Sequence, residues 1–194
     1  QQALQNKIVA QRAENDRLLG LNQGQQDALN AQIKENSAKA SQLRAQQAAE
    51  NAKLFRGGGA RVVAGSNGRD TYPTMWRNSG QDTMLDNWGM YNRECVSYTA
   101  WKVYESRGYM PYWGGRGNAN QWDDNARAAG ISVDGSPRAG DVAIWNVGYY
   151  GHAMYVESVN PNGTINVSQY NYSYDGTYSE GYNLSPAGLS FIHF

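Results

Sequence analysis

His152-Ala153-Met154-Tyr155-Val156-Glu157-Ser158-Val159, Asn160-Pro161-Asn162-Gly163 and Thr164-Ile165-Asn166-Val167-Ser168-Gln169-Tyr170-Asn171-Tyr172 read in order as strand, turn and strand. The outer runs are rich in β-branched and aromatic residues, and the second alternates Ile165, Val167, Gln169 and Asn171 on one face. Between them, Asn-Pro-Asn-Gly is turn chemistry. With those four residues as the loop, Val159 pairs with Thr164. Counting outward sets Val156 opposite Val167, Met154 opposite Gln169 and His152 opposite Asn171. One end of that face is apolar and anchors the hairpin in a core, and the other end is a polar cluster of His152, Gln169 and Asn171.

Upstream of the hairpin, Asp141 to Asn146 reads as another strand. Glu94 to Ser106 has the spacing of a helix, with Val96, Thr99, Ala100, Val103 and Tyr104 three and four residues apart. Asn118 caps a second helix over Ala119 to Ala129, which Gly130 stops. Helices followed by antiparallel strands give the class α+β.

The first fifty-odd residues differ physically from the rest. They hold no Pro and no aromatic before Phe55, whereas every Trp and Tyr lies at or beyond Tyr72. Gln, Ala, Lys, Glu and Leu favour a long helix over residues 1–55, with Leu4, Ile8, Leu18, Leu29 and Leu43 in a broken heptad frame, a weak coiled coil breaking near Gly20 or Gly24. Residues 56–69, dense in Gly, read as a flexible linker, which leaves 70–194 as the globular domain.

Seventeen basic and seventeen acidic residues balance, so the electrostatic drive for nucleic-acid binding is missing. No apolar run reaches the roughly 20 residues of a membrane span, and the opening lacks a signal-peptide pattern, as expected of a mature form or fragment. Cys95 is the only cysteine, which excludes an internal disulfide and a thiolate zinc site and leaves either a buried apolar residue or a working thiol. At the first turn of a helix it meets the positive end of the peptide dipoles, which favours thiolate. A strand histidine beside a cross-strand amide is what a thiol nucleophile needs, because the amide fixes the imidazole tautomer.

These residues resemble a family. Glu94-Cys95-Val96-Ser97-Tyr98-Thr99-Ala100-Trp101, Pro137-Arg138-Ala139-Gly140-Asp141-Val142-Ala143-Ile144-Trp145, Gly151-His152-Ala153-Met154-Tyr155-Val156 and Ile165-Asn166-Val167-Ser168-Gln169-Tyr170-Asn171-Tyr172 are, in this order, similar to CHAP domains, the cysteine, histidine-dependent amidohydrolases/peptidases. The resemblance implies a papain-like α+β fold and cleavage of amide or peptide bonds in bacterial peptidoglycan, with Cys95 attacking and His152 relaying the proton. It also implies a secreted or wall-associated location and work in cell separation or wall remodelling. Where relatives often carry Glu, this chain has Gln169, which can accept a hydrogen bond but brings no charge. The cross-strand register favours Asn171 as the residue that orients His152, with Gln169 as the other candidate.

Some phage members hold calcium near the cysteine. Here Asp86 remains, but Trp88 and Ser97 leave too few oxygen ligands, so no metal and no cofactor are expected. The long helix followed by a Gly-rich stretch and this domain is similar to PcsB-type division hydrolases. By that similarity the helices restrain the enzyme and dock on a membrane-bound division complex or a second chain. Trp113, Tyr149 and Tyr150 are candidates for lining a substrate groove. The alternative to an enzyme is a catalytically weak wall-binding or scaffolding module.

Overall fold

The computed structural model describes residues 2–65 and 68–194; Ser66 and Asn67, in the glycine-rich stretch, lie outside it, as do the side chains of residues 2–9, Leu4 and Ile8 among them, and of Leu21. The chain divides into two compact units, Gln1–Leu43 and Arg44–Phe194. One helix, α1 (Gln2–Leu54), runs through the first unit and into the second. It does not break at Gly20 or Gly24, because roughly 1 kcal/mol per glycine is small against an unbroken run of good helix formers. Leu18, Leu19, Leu29 and Ile33 are exposed along it.

In the second unit the elements are β1 (Arg61–Ala64), α2 (Thr74–Arg77), α3 (Cys95–Arg107), a 3₁₀ turn (Ala119–Gln121) running into α4 (Trp122–Ala128), β2 (Ser132–Asp134), β3 (Val142–Trp145), β4 (His152–Val159), β5 (Ile165–Tyr170), β6 (Tyr178–Leu184) and β7 (Ser190–His193). The strands form one sheet in the order β1-β6-β5-β4-β3-β7-β2, and every neighbouring pair is antiparallel. The class is α+β. Glu94 caps α3 in extended conformation and Gly108 ends it left-handed at φ 73°, while Asn118 and Gln121 form the capping box that starts the second helix.

Two sequence expectations change. The stretch read as a linker contains β1, which pairs with β6 through Arg61↔Tyr182 to Ala64↔Ser179; Arg-Val-Val-Ala is too short to stand out among glycines, and the sheet edge supplies the order. In the hairpin, Val156 does face Val167. A bulge between Val156 and Ser158 then pairs Val159 with Ile165 rather than Thr164. Asn160 N–H closes the loop on the Thr164 carbonyl at 2.7 Å.

Each face of the sheet is buried. One packs Val142, Ile144, Ala153, Tyr170 and Ile192 against Tyr72, Tyr98, Trp122 and the rest of α3 and α4. The other carries Ala143, Met154, Val156, Ile165, Val167 and Phe191, against which Leu54 and Phe55 pack. Gly181 makes room for that lid: a Cβ there would stand 2.4 Å from the Phe55 ring.

His193, on β7, has Nδ1 2.9 Å from Asp141 and Nε2 2.9 Å from Asp134. Burial lowers its pKa, but the carboxylates of Asp141 and Asp134 outweigh burial and leave it above the ordinary 6.5. A raised folded-state value makes the stabilisation full below about 6.5 and lost as pH climbs through the folded value. The gap in melting temperature between the native chain and His193→Gln should therefore shrink as pH rises above about 6.5, as read by paired thermal melts. A gap independent of pH would show that the imidazolium contributes nothing.

Candidate active site

The segment that delivers Cys95 is latched before the helix begins. Asn92, fully buried, donates to the carbonyls of Trp76 (3.0 Å) and Gly80 (2.9 Å) and accepts from the N–H groups of Thr83 and Met84 (3.0 Å each). Arg93 follows in left-handed conformation at φ 63°, its N–H donating to the Tyr72 hydroxyl, which also bonds Ser97 Oγ at 2.6 Å. Asp86 accepts from the N–H groups of Trp88 and Met90 at 2.9 Å and shapes the turn ahead of this segment. Sequence reasoning missed Asn92; an Asn three residues before the helix was its only signal.

Cys95 is the first residue of α3 and is 9% exposed. The backbone N–H groups of Ala153 on β4, of Val96 and of Cys95 itself lie near its sulfur and favour the thiolate. The helix-dipole expectation of a thiolate is overturned: burial first, and the Glu94 charge second, push the thiol up to about 12, beyond what those three amides offset. His152 is 1% exposed, and burial pushes it down to about 4 against the opposing effect of its bond to Gln169. Both members are neutral.

His152 Nε2 lies 2.8 Å from Gln169 Oε1. An amide oxygen accepts only, so Nε2 carries the hydrogen and Nδ1 keeps its lone pair free to take a proton. The residue that holds His152 is therefore Gln169. Asn171 lies just past the end of β5 at φ 55°, which takes it out of the pleat alternation on which the sequence register relied. It donates instead to Glu94 Oε2 (2.7 Å) and accepts from Gly176 N–H (2.8 Å). Gln81 holds the other Glu94 oxygen at 3.1 Å. Burial, then the neighbouring Asp82, raises the Glu94 carboxyl above the usual range.

Cys95 opens onto a groove of about 680 Å³, also lined by Glu94, Tyr91, Tyr150, Tyr174 and Arg44. Arg44 pairs with Asp82 at 2.9 Å. Of the three aromatic candidates, Tyr150 lines this groove. Tyr149 is 60% exposed and packs edge-on against Tyr150, outside the lining. Trp113 is core: it is wedged between Trp122 and Phe194, with centroids at 5.1 and 5.7 Å, because the Gly-rich loop around it folds inward.

Cys95 thus begins a helix that packs on β4, the strand that begins with His152. Residues 85–171 match the family model of the CHAP domain. Over those residues the chain is similar to CHAP domains. Over 118 residues, 57% of this chain and 34% of the relative, it is 37% identical to an N-acetylmuramoyl-L-alanine amidase sle1 of Staphylococcus haemolyticus. A Staphylococcus aureus protein of the same name is 49% identical over 67 residues, 34% of this chain and 19% of the relative. A crystal structure of an N-acetylmuramoyl-L-alanine amidase from Staphylococcus aureus superposes with a TM-score of 0.46 at 26% identity, covering 53% of this chain and 30% of that one. The chain thus spans about a third or less of the length of these curated relatives.

Gln169, through its bond to the ring, opposes burial at His152 but carries no charge. Replacing it with Glu puts a carboxylate on Nε2–H and should raise the His152 titration from about 4. With only two histidines in the chain, imidazole NMR against pH reads this directly. An unchanged His152 titration in Gln169→Glu would mean that the 2.8 Å contact does not govern the ring.

Proposed function

We propose that this chain is a peptidoglycan hydrolase that cuts an amide bond by cysteine chemistry, with an amidase specificity like that in its relatives' names, acting outside the cell or at the wall. The observation that carries the reading is a groove of about 680 Å³ with Cys95 in its lining, at the start of a helix that packs on β4, whose first residue is a histidine with Nε2 held by Gln169 and Nδ1 left as an acceptor. Among the described residues, no helix is long and apolar enough to cross a membrane.

The reaction starts from a neutral thiol and a neutral imidazole. As the scissile carbonyl enters the groove, His152 Nδ1 takes the proton from Cys95 and the sulfur bonds to the carbonyl carbon. The N–H groups at the start of α3 lie beside the sulfur and are the donors at hand for the oxyanion. Collapse breaks the C–N bond, and His152 returns its proton to the leaving amine. Water, deprotonated by the same nitrogen, then hydrolyses the thioester and restores the thiol. Gln169 keeps the ring in one tautomer throughout. Asn171 acts one step removed, joining the loop after β5 to Glu94.

Because the resting pair is neutral, the proton moves only when substrate is present. The acid limb of kcat/KM should accordingly fall near the His152 value of about 4, lower than an unperturbed imidazole would place it.

The decisive experiment is mass spectrometry of fragments released from purified peptidoglycan by the full chain and by Cys95→Ala. Free stem peptides starting at the alanine formerly bound to the lactyl group mean an amidase, and shortened stems mean an endopeptidase. Cys95→Ala should lose release by roughly a thousandfold or more. Wall binding by both proteins without any release would favour the binding-module alternative.

A further inference from the structure

The last turns of α1 belong to the compact unit that holds the active site, since that unit begins at Arg44. They place two amide side chains, Gln47 and Asn51, in fully buried positions. Gln47 Oε1 accepts from the N–H groups of Tyr150 (3.1 Å) and Gly151 (3.2 Å), and its Nε2 donates to the Val147 carbonyl (2.7 Å) and to Asn51 Oδ1 (3.2 Å). Asn51 in turn donates to the Tyr172 carbonyl at 3.0 Å. These are the two loops that bracket the catalytic hairpin: the one ends at Gly151, immediately before His152, and the other begins just after Gln169 and Tyr170.

From the opposite side, Asn120 N–H donates to the Tyr150 carbonyl and its side chain to that of Tyr149, each at 3.0 Å. The loop before His152 is thereby gripped on both flanks. Its sequence is cut to fit the grip. Gly148 adopts φ 90°, and a Cβ on it would stand 2.1 Å from Gln47 Oε1. Gly151 adopts φ 71°, and a Cβ there would meet Asn120 N at 2.7 Å.

We propose that Gln47, with Asn51 behind it, is a positioning residue for the reaction: it fixes the backbone from which His152 springs, and so sets the imidazole on Gln169 and Cys95. The C-terminal turns of α1 then complete the catalytic unit instead of only restraining it, and a chain cut at Gly57 lacks part of its active-site support. The kinetic side of this rests on the hydrolase reading above; the structural side does not.

The test uses the full chain and Gln47→Leu, which keeps bulk and removes every bond. Two readouts are taken: kcat and KM on soluble peptidoglycan fragments, and the ¹⁵N imidazole signals of His152 and His193. The expected result is a kcat loss of roughly tenfold to a hundredfold with KM nearly unchanged, as for a slightly misplaced catalytic group. His152 should change from a single Nε2–H tautomer to a mixture while His193 stays as it was. Unchanged His152 signals and unchanged kcat would overturn the proposal. Should the His193 signals also collapse, Gln47→Glu decides, because it keeps the acceptor for both N–H groups: part of the kcat and the single His152 tautomer should return, and their absence in a folded Gln47→Glu protein would overturn it. If the native chain releases nothing from peptidoglycan while His152 still responds to Gln47→Leu, the hydrolase reading fails and the positioning role stands.

Discussion

The packing of α3 on β4, which brings the Ala153 N–H near the Cys95 sulfur, is the constraint on which the rest of the site depends. β4 pairs with β3 from His152 onward, but with β5 only from Tyr155. The start of α3 reaches the strand where that second ladder has not begun. The Ala153 N–H, which β5 does not pair, lies near the sulfur there, where the helix begins with Cys95 and the strand with His152.

Burial at that point has an electrostatic consequence. Burial pushes the thiol and the imidazole toward their neutral forms, and the bond to the uncharged Gln169 opposes this for the ring without outweighing it. The nearest carboxylate, Glu94, is itself buried, is held by Gln81 and Asn171, and opposes ionisation of the thiol. An uncharged resting pair suits a site whose groups are ordered by hydrogen bonds rather than by an ion pair.

Legibility of the site in the sequence followed the range of the forces involved. Cys95 at the head of α3 and His152 at the head of β4 were readable, because apolar periodicity and capping act within one turn or one strand. The strands β1, β2, β6 and β7 were not. Tyr-Ser-Glu-Gly-Tyr-Asn-Leu lacks a clear alternation of apolar and polar residues, and it becomes a strand through its pairing with β5 and β1 and through the Phe55 ring seated on Gly181. Trp113 looked like a groove residue because its neighbours are glycines, yet those glycines let its loop fold it against Trp122.

By itself, then, the sequence determined the helix that begins at Cys95, the hairpin that carries His152 and Gln169, the long helix without proline, and the resemblance that joins them. Only the tertiary structure decided which amide holds the histidine. The choice between Gln169 and Asn171 turns on whether the pleat continues past Tyr170. A left-handed residue at 171, secured by Glu94 and Gly176, ends it there. It likewise placed Gln47 and Asn51 against loops about a hundred residues away in sequence. Contacts of that separation leave no local pattern, because nothing in the chemistry of either segment alone requires the other.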